Sequence, residues 1–435
     1  MKRAVVVGSG AGGAMAAREL ATAFEVTVVE AGREFKPFDG RLDRIERLRT
    51  SRMLRDPRLI QLLYPAMHVT KTSGGMALVR GVGTGGSTTL ATGNAVRADE
   101  ALQKLGIDLG PEYDALREEL PISTDHQRRW RPVTRELFSA CAALGLDPVV
   151  TPKLVDYGRC TRCGRCVLGC PSGAKWDSRG HLKEAMARGT TLLTDSEVER
   201  VVFAEGEWGP RRATGVLTRR HGGRKFLPAD LVVLAAGGVG TPALLSRSGI
   251  KTEDRLFVDP VLCVAAPLPE SRADEEVPMP FLVEGDGCII SPYFDYLSYF
   301  FHPDWRRPRH DVAALMIKLA DTEAGSVDSR RRVTKGLSAR DEQRLDAARK
   351  TCQEMLARLG VRRDSIFLGM LNAGHPGGML PLSAKEFGTL HPARLPDNLY
   401  VADASLLPES LGKPPILTIM ALARRVARLC AERFG

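Results

Sequence analysis

An α/β chain, α+β overall, is predicted by three local observations. A short apolar strand at 3–7 runs into the glycine turn Gly8-Ser9-Gly10-Ala11-Gly12-Gly13 and then into a helix. Residues 231–236 are apolar without alternation, as in a parallel strand buried on both faces. Residues 288–299 alternate instead, the period of a half-buried strand.

In chain order, the βαβ start comprises the strand 3–7, a helix over 14–22 and a second strand over 25–30. Residues 42–63 carry a charged, helical period with a break at Pro57. A Gly/Thr/Ser-rich loop fills 80–97, and helices are expected at 111–120 and 133–144. Strand and turn follow at 191–203, and the buried strand 231–236 turns through Gly237 and Gly240 into a helix. Composition shifts near Val258. Beyond it lie mixed segments, an amphipathic helix at 341–359, a buried-type strand at 398–402 and a last helix at 415–434.

The chain has 435 residues, 43% hydrophobic and 26% charged, an ordinary globular composition with room for several domains. No apolar run reaches the roughly 18 residues that suggest a bilayer span. The first strand begins almost at Met1, leaving no room for a signal peptide, so a cytoplasmic location is expected. Net charge is +10, from 62 Lys+Arg against 52 Asp+Glu. Basic clusters such as Arg330-Arg331-Arg332 lack interleaved aromatics, so no nucleic-acid module is expected.

Gly8-x-Gly10-x-x-Gly13 follows a strand and opens a helix, and Glu30 ends the next strand. Small residues let backbone approach a pyrophosphate, the helix start offers free N–H groups, and the carboxylate suits a ribose hydroxyl. This motif alone does not separate NAD from FAD. Three further loops point to FAD. They are 80–88 with Asn94, then 234–245 around Gly237, then Asn398-Leu-Tyr-Val-Ala-Asp403-Ala404-Ser405 with Pro414, Pro415 and the run to Ala423.

With these four anchors in order, the chain resembles the glucose-methanol-choline (GMC) flavoprotein oxidoreductases from end to end. The resemblance implies a Rossmann-like FAD-binding domain interleaved with a substrate domain on an antiparallel sheet. The expected segments are 1–110, 181–257 and 385–435 for FAD, 111–180 for a helical segment with a cysteine loop, and 258–384 for substrate. It further implies that Gly8, Gly10, Gly13 and Glu30 hold the ADP part. Gly85, Gly86, Ser87 and Asn94 would lie along pyrophosphate, ribitol and flavin. Val198 would touch adenine, and Gly237, Asp403, Ala404 and Pro415 would complete the cradle. The last helix would aim its positive end at the flavin and favour its anionic reduced form.

His375 opens a His-Pro-Gly-Gly turn. The resemblance makes it the catalytic base, and an imidazole with an ordinary pKa near ~6.5 suits removal of a hydroxyl proton. The family's second Asn or His before the last helix is here Pro414, which has no polar side chain. Lys413 is expected to substitute. The chain is short for the family, which implies a more open site.

Four of nine cysteines fall in Cys160-x2-Cys163-x2-Cys166-x3-Cys170-Pro171. Thiolates suit iron–sulfur clusters or zinc. Zinc usually takes two separated pairs, whereas this compact run is ferredoxin-like and favours a [4Fe–4S] cluster. Cys170 is taken as the fourth ligand, with Cys263 or Cys288 as the remote alternatives. A reducing compartment favours a cluster over disulfides.

The expected function is an FAD-dependent dehydrogenase that oxidises a hydroxyl-bearing substrate by hydride transfer to flavin N5. Electrons would pass through the cluster to a redox partner protein or other subunits of a complex. Alternatives are a non-catalytic electron-transfer subunit, or the same site run as a reductase of a carbonyl or activated double bond.

Overall fold

The computed structural model describes residues 1–38, 42, 46, 47, 49, 56–204 and 212–435. Five parallel strands grow from the βαβ start. Their spatial order is Leu399–Val401, Leu231–Leu234, Lys2–Val7, Phe24–Val29 and Thr191–Leu193. Leu231–Leu234 is buried throughout, as are residues 4–7 of its neighbour, which is why those stretches read as unbroken apolar runs.

The first helix is Ala11–Leu20 and begins ahead of the expected 14–22, so two glycines lie inside it. Glycine costs a helix about 1 kcal/mol relative to alanine, but close packing decides here. A Cβ on Gly12 would fall 1.7 Å from the Ala402 carbonyl oxygen, and one on Gly13 would fall 2.0 Å from that of Gly8. The last helix, Ile416–Phe434, packs along Ala11–Leu20.

A second sheet dominates the rest. Its spatial order is Met67–Lys71, Ala77–Gly81, Asn372–Ala373, Pro260–Pro267, Val312–Leu319, Cys288–Pro292, Phe281–Gly285 and Pro148–Val150, with Phe367–Leu368 also pairing to Pro260–Pro267. All pairings are antiparallel except that of Ala77–Gly81 with Asn372–Ala373. Side chains alternate between its faces. Leu262, Val264, Leu315 and Ile317 face a core closed by the helix Ala339–Arg358. A capping box between Ser338 and Asp341 fixes the start of that helix. Val261, Cys263, Ala314 and Met316 face an aromatic cluster that includes Phe294, Tyr299 and Trp305.

Several expectations change. The strands Met67–Lys71 and Ala77–Gly81 join the large sheet although they fall within 1–110, and Pro148–Val150 joins it from within 111–180. The alternation over 288–299 is strand only to Pro292. Asp295 then accepts a hydrogen bond from the Leu297 N–H and caps the helix Tyr296–Phe301. Residues 191–203 form two strands of different sheets. Thr191–Leu193 is parallel, while Glu197–Phe203 pairs with a hairpin, Ala213–Arg220 and Gly223–Pro228, that the sequence did not announce. Of the stretch 42–63, residues 43–45, 48 and 50–55 lie outside the described residues.

Candidate active site

A cavity of about 430 Å³ opens between the carboxyl ends of the parallel strands and one face of the large sheet. This is where parallel α/β sheets bind ligands. Gly8, Gly10, Glu30, Gly86, Ser87, Asn94, Val198, Gly237, Asp403, Ala404, Pro415 and His375 all line it. Gly13 and Gly85 stand behind the wall. Gly13 allows the turn to close on Gly8, and Gly85 has φ +91° and donates its N–H to Ser9 Oγ at 3.2 Å.

The glycines divide by role. Those at 8, 12 and 13 admit neighbouring backbone. A Cβ on Gly10 would meet only Gly86 Cα at 3.9 Å, and one on Gly237 would meet nothing within 4 Å. Both face space that a cofactor can occupy. Gly10 begins the helix Ala11–Leu20 with no side chain capping it, so that helix start is available to a phosphate. Glu30 is buried and accepts hydrogen bonds from the Ser9 N–H at 3.1 Å, Ser9 Oγ at 2.7 Å and the Gly32 N–H at 2.9 Å. Burial raises its pKa against those bonds. Asp403 ties two loops together. It accepts from the Gly237 N–H at 2.8 Å, Thr241 Oγ1 at 2.5 Å and the Ser405 N–H at 2.8 Å. These residues fit an extended dinucleotide such as FAD.

On the opposite wall, His375 is 29% exposed at its side chain. Its Nδ1 lies 3.6 Å from Asp259 Oδ2 and has no hydrogen-bond partner among the described residues. Burial, then the nearby Lys318 ammonium, hold its pKa well below the ordinary value, so the neutral, proton-accepting ring is favoured. Lys413 is not on this wall. Its Nζ pairs with Glu100 at 3.1 Å and Glu284 at 3.0 Å, and Pro414 takes its place at the cavity. Lys413 therefore does not substitute for the polar side chain that Pro414 lacks. Lys318, Asn372 and Asp295 line the wall and were not anticipated. Lys318 left one signal, a lone charge in the apolar strand Val312–Leu319.

The cysteine loop borders the same cavity. Val167 and Leu168, between Cys166 and Cys170, form part of its wall. The turn needs Gly169 at φ +96°, because a Cβ there would meet the Phe35 ring at 2.5 Å. All four thiols are free, and the Lys175 N–H donates to Cys170 Sγ at 3.3 Å. Among the described residues, no three of these thiols gather within 4.8 Å, so the loop does not present a single-ion site. Two buried lysines lie close by. Lys175 Nζ donates to the carbonyls of Thr88, Thr89 and Ala91, and Lys153 Nζ donates to Asn94 Oδ1 and the Pro278 carbonyl. Burial holds Lys153 down to about 7 and pushes the Cys166 thiol up to about 12. Of the remote cysteines, Cys288 is on the sheet face away from the cavity, and Cys263 is sealed in the core.

Fold and site together define an oxidoreductase that binds a flavin dinucleotide. A GMC oxidoreductase family model matches residues 4–263, more than half of the chain, and the chain belongs to that family. It is an FAD-dependent oxidoreductase acting on CH–OH donors. An uncharacterized protein of Methanocaldococcus jannaschii is 26% identical over 97% of this chain and 98% of its own length. An uncharacterized GMC-type oxidoreductase of Mycobacterium tuberculosis is 34% identical over 58% of this chain and 40% of its own. The long-chain-alcohol oxidase FAO1 of Arabidopsis thaliana is 22% identical, covering 99% of this chain and 66% of its own. The crystal structure of a pyridoxine 4-oxidase from Mesorbium loti shares the fold, with a TM-score of 0.74 at 19% identity over 98% of this chain and 99% of its own. No helix among the described residues is long and apolar enough to cross a membrane.

Proposed function

We propose that this protein is a dehydrogenase of an apolar alcohol that hands its electrons to a protein partner. The observation that carries the reading is one cavity shared by the nucleotide-binding turns, His375 and the cysteine loop. His375 is the base that takes the hydroxyl proton, and Tyr293, Leu297, Phe300 and Met316 give the substrate end its apolar walls. FAD, held by Gly8, Gly10, Glu30, Gly86, Ser87, Asn94, Val198, Gly237, Asp403, Ala404 and Pro415, supplies a hydride acceptor. Names among the relatives, a long-chain-alcohol oxidase and a 6'''-hydroxyparomomycin C oxidase, fit oxidation at a hydroxyl carbon.

Cys160, Cys163, Cys166 and Cys170 would hold the [4Fe–4S] cluster, which supplies one-electron transfer. Two features support it. A cube spreads its ligand thiols over several irons, so they need not converge as around one ion. Among the described residues Lys153 has no carboxylate partner, and an anionic thiolate cluster would give that buried cation a counter-charge. A reducing, cytoplasmic setting suits nine free cysteines.

Anaerobic purification with absorbance, iron and sulfide analysis tests the reading. Flavin bands with a broad iron–sulfur shoulder and near-equal iron and sulfide are expected. A folded protein that binds neither flavin nor iron ends it. The absence of a polar side chain at Pro414 favours one second reading, an electron-transfer subunit. Turnover of medium-chain alcohols by the isolated chain with an artificial acceptor would dismiss that one.

A further inference from the structure

Behind His375 lies a buried charge network. Asp259 is wholly buried with φ +50°, in the left-handed region that favours glycine. Its carboxylate accepts from Lys318 Nζ, from Ser410 Oγ at 2.5 Å and from the Gly412 N–H at 3.4 Å. Lys318 is 1% exposed at its side chain, and its Nζ also donates to the Lys413 carbonyl at 2.9 Å. Alternation places Lys318 on the cavity face, beside Met316 and opposite Val261. One carboxylate oxygen, Oδ2, therefore faces both the ammonium and the unsatisfied Nδ1 of the imidazole.

We infer that Asp259 and Lys318 are positioning residues for His375: the carboxylate orients the ring through Nδ1–H, and the ammonium keeps that carboxylate from drawing a proton onto the ring before substrate arrives. A loose Nδ1 contact is the resting form, since catalytic hydrogen bonds often tighten only with ligand bound. The depressed pKa of His375, with Lys318 as its charge-based cause, agrees with this. The purpose assigned to the pair rests on the reading of His375 as base; the coupling itself does not.

The charged groups around the ring come from several elements. They are Asp259 at the entry to Pro260–Pro267, Lys318 on Val312–Leu319, and Asp321 just beyond it, paired with Lys335 at 2.7 Å. Asp295 and Asp403 lie on the cavity walls. Asp295 accepts from Ser298, and Asp403 is bound to its own loops.

The test is a histidine NMR titration of the purified protein, with His375 assigned by loss of its signal in His375→Asn. It needs neither substrate nor turnover. In the wild type His375 should titrate well below the ordinary histidine range, because burial and then the Lys318 ammonium disfavour its charged form. Lys318→Met should raise its pKa by about one unit or more, because a cation is removed and Asp259 remains. Lys318→Met with Asp259→Asn removes both charges, and the pKa should fall back. The double variant also guards against misfolding, since a buried pair is often replaceable as a pair but not singly. Equal titration in the wild type and Lys318→Met, or in the double variant and Lys318→Met, overturns the inference. Failure of the dehydrogenase reading would show instead as these same titration shifts in a protein without turnover.

Discussion

Asp259 Oδ2 lies 3.6 Å from His375 Nδ1, because Asp259 precedes and His375 follows two paired strands of the large sheet, Pro260–Pro267 and Asn372–Ala373. That contact leaves the other ring nitrogen for the cavity. His375→Asn should lower kcat about 10²–10⁴-fold, the usual contribution of a general base. Flavin content should be unchanged, because none of the nucleotide-binding turns depends on the ring. Stopped-flow flavin reduction is the measurement.

The glycines of the first turn should separate by role. Gly10→Ala should leave the melting temperature near that of the wild-type apoprotein while flavin per chain falls, since its Cβ enters cofactor space. Gly12→Ala should fail to fold, because a contact of 1.7 Å with backbone cannot relax by a side-chain movement. Calorimetry with flavin extraction separates the two.

Single Cys→Ser changes at 160, 163, 166 and 170 should each lower bound iron. Cys263→Ser and Cys288→Ser should not, as those thiols are packed in the sheet cores. Iron retained in Cys170→Ser but lost in Cys263→Ser would move the fourth ligand.

Lys153→Met should act with opposite signs on two forms. Without iron it should stabilise the chain, since it removes a buried ammonium that has no carboxylate partner among the described residues. With iron it should accelerate cluster loss, since the anion loses its neighbour. Melting curves of both forms, with iron release to a chelator, check this.

Two buried histidines outside the cavity set an acid limit on stability. His126 Nδ1 accepts from Trp130 Nε1 at 2.9 Å while its Nε2 bonds the Thr151 carbonyl at 2.8 Å, so the ring is built in neutral. Burial holds His126 and His181 down to about 4. Both pKa values are depressed, so the unfolded chain takes up protons first as pH falls below ~6.5. Stability should decline between about pH 6.5 and 4, with each ring approaching a loss of roughly 3 kcal/mol. Urea unfolding across that range measures it, and His126→Asn should flatten the slope.

Residues close in sequence announced most of what they do. The turn Gly8–Gly13, the strands around Val5 and Val232, and the cysteine run carry their chemistry in local spacing, because one backbone segment closes on itself. Lys413 looked like a substitute for the side chain missing at Pro414, but only its carbonyl reaches the site while Glu100 and Glu284 hold its ammonium. Nothing in Met67–Lys71 or Ala77–Gly81 showed that these strands would join the large sheet.

The sequence alone determined a dinucleotide-binding α/β frame, its glycine and carboxylate anchors and a compact set of four thiols, all of them signals of local period and spacing, while His375 was picked out by the family resemblance of its turn. Only the tertiary structure brought Asp259 and Lys318 to His375, and Val167 and Leu168 to the cavity wall. Those neighbours are set by which strands pair and which face each residue takes, and pairing across long chain separations leaves no local pattern to read.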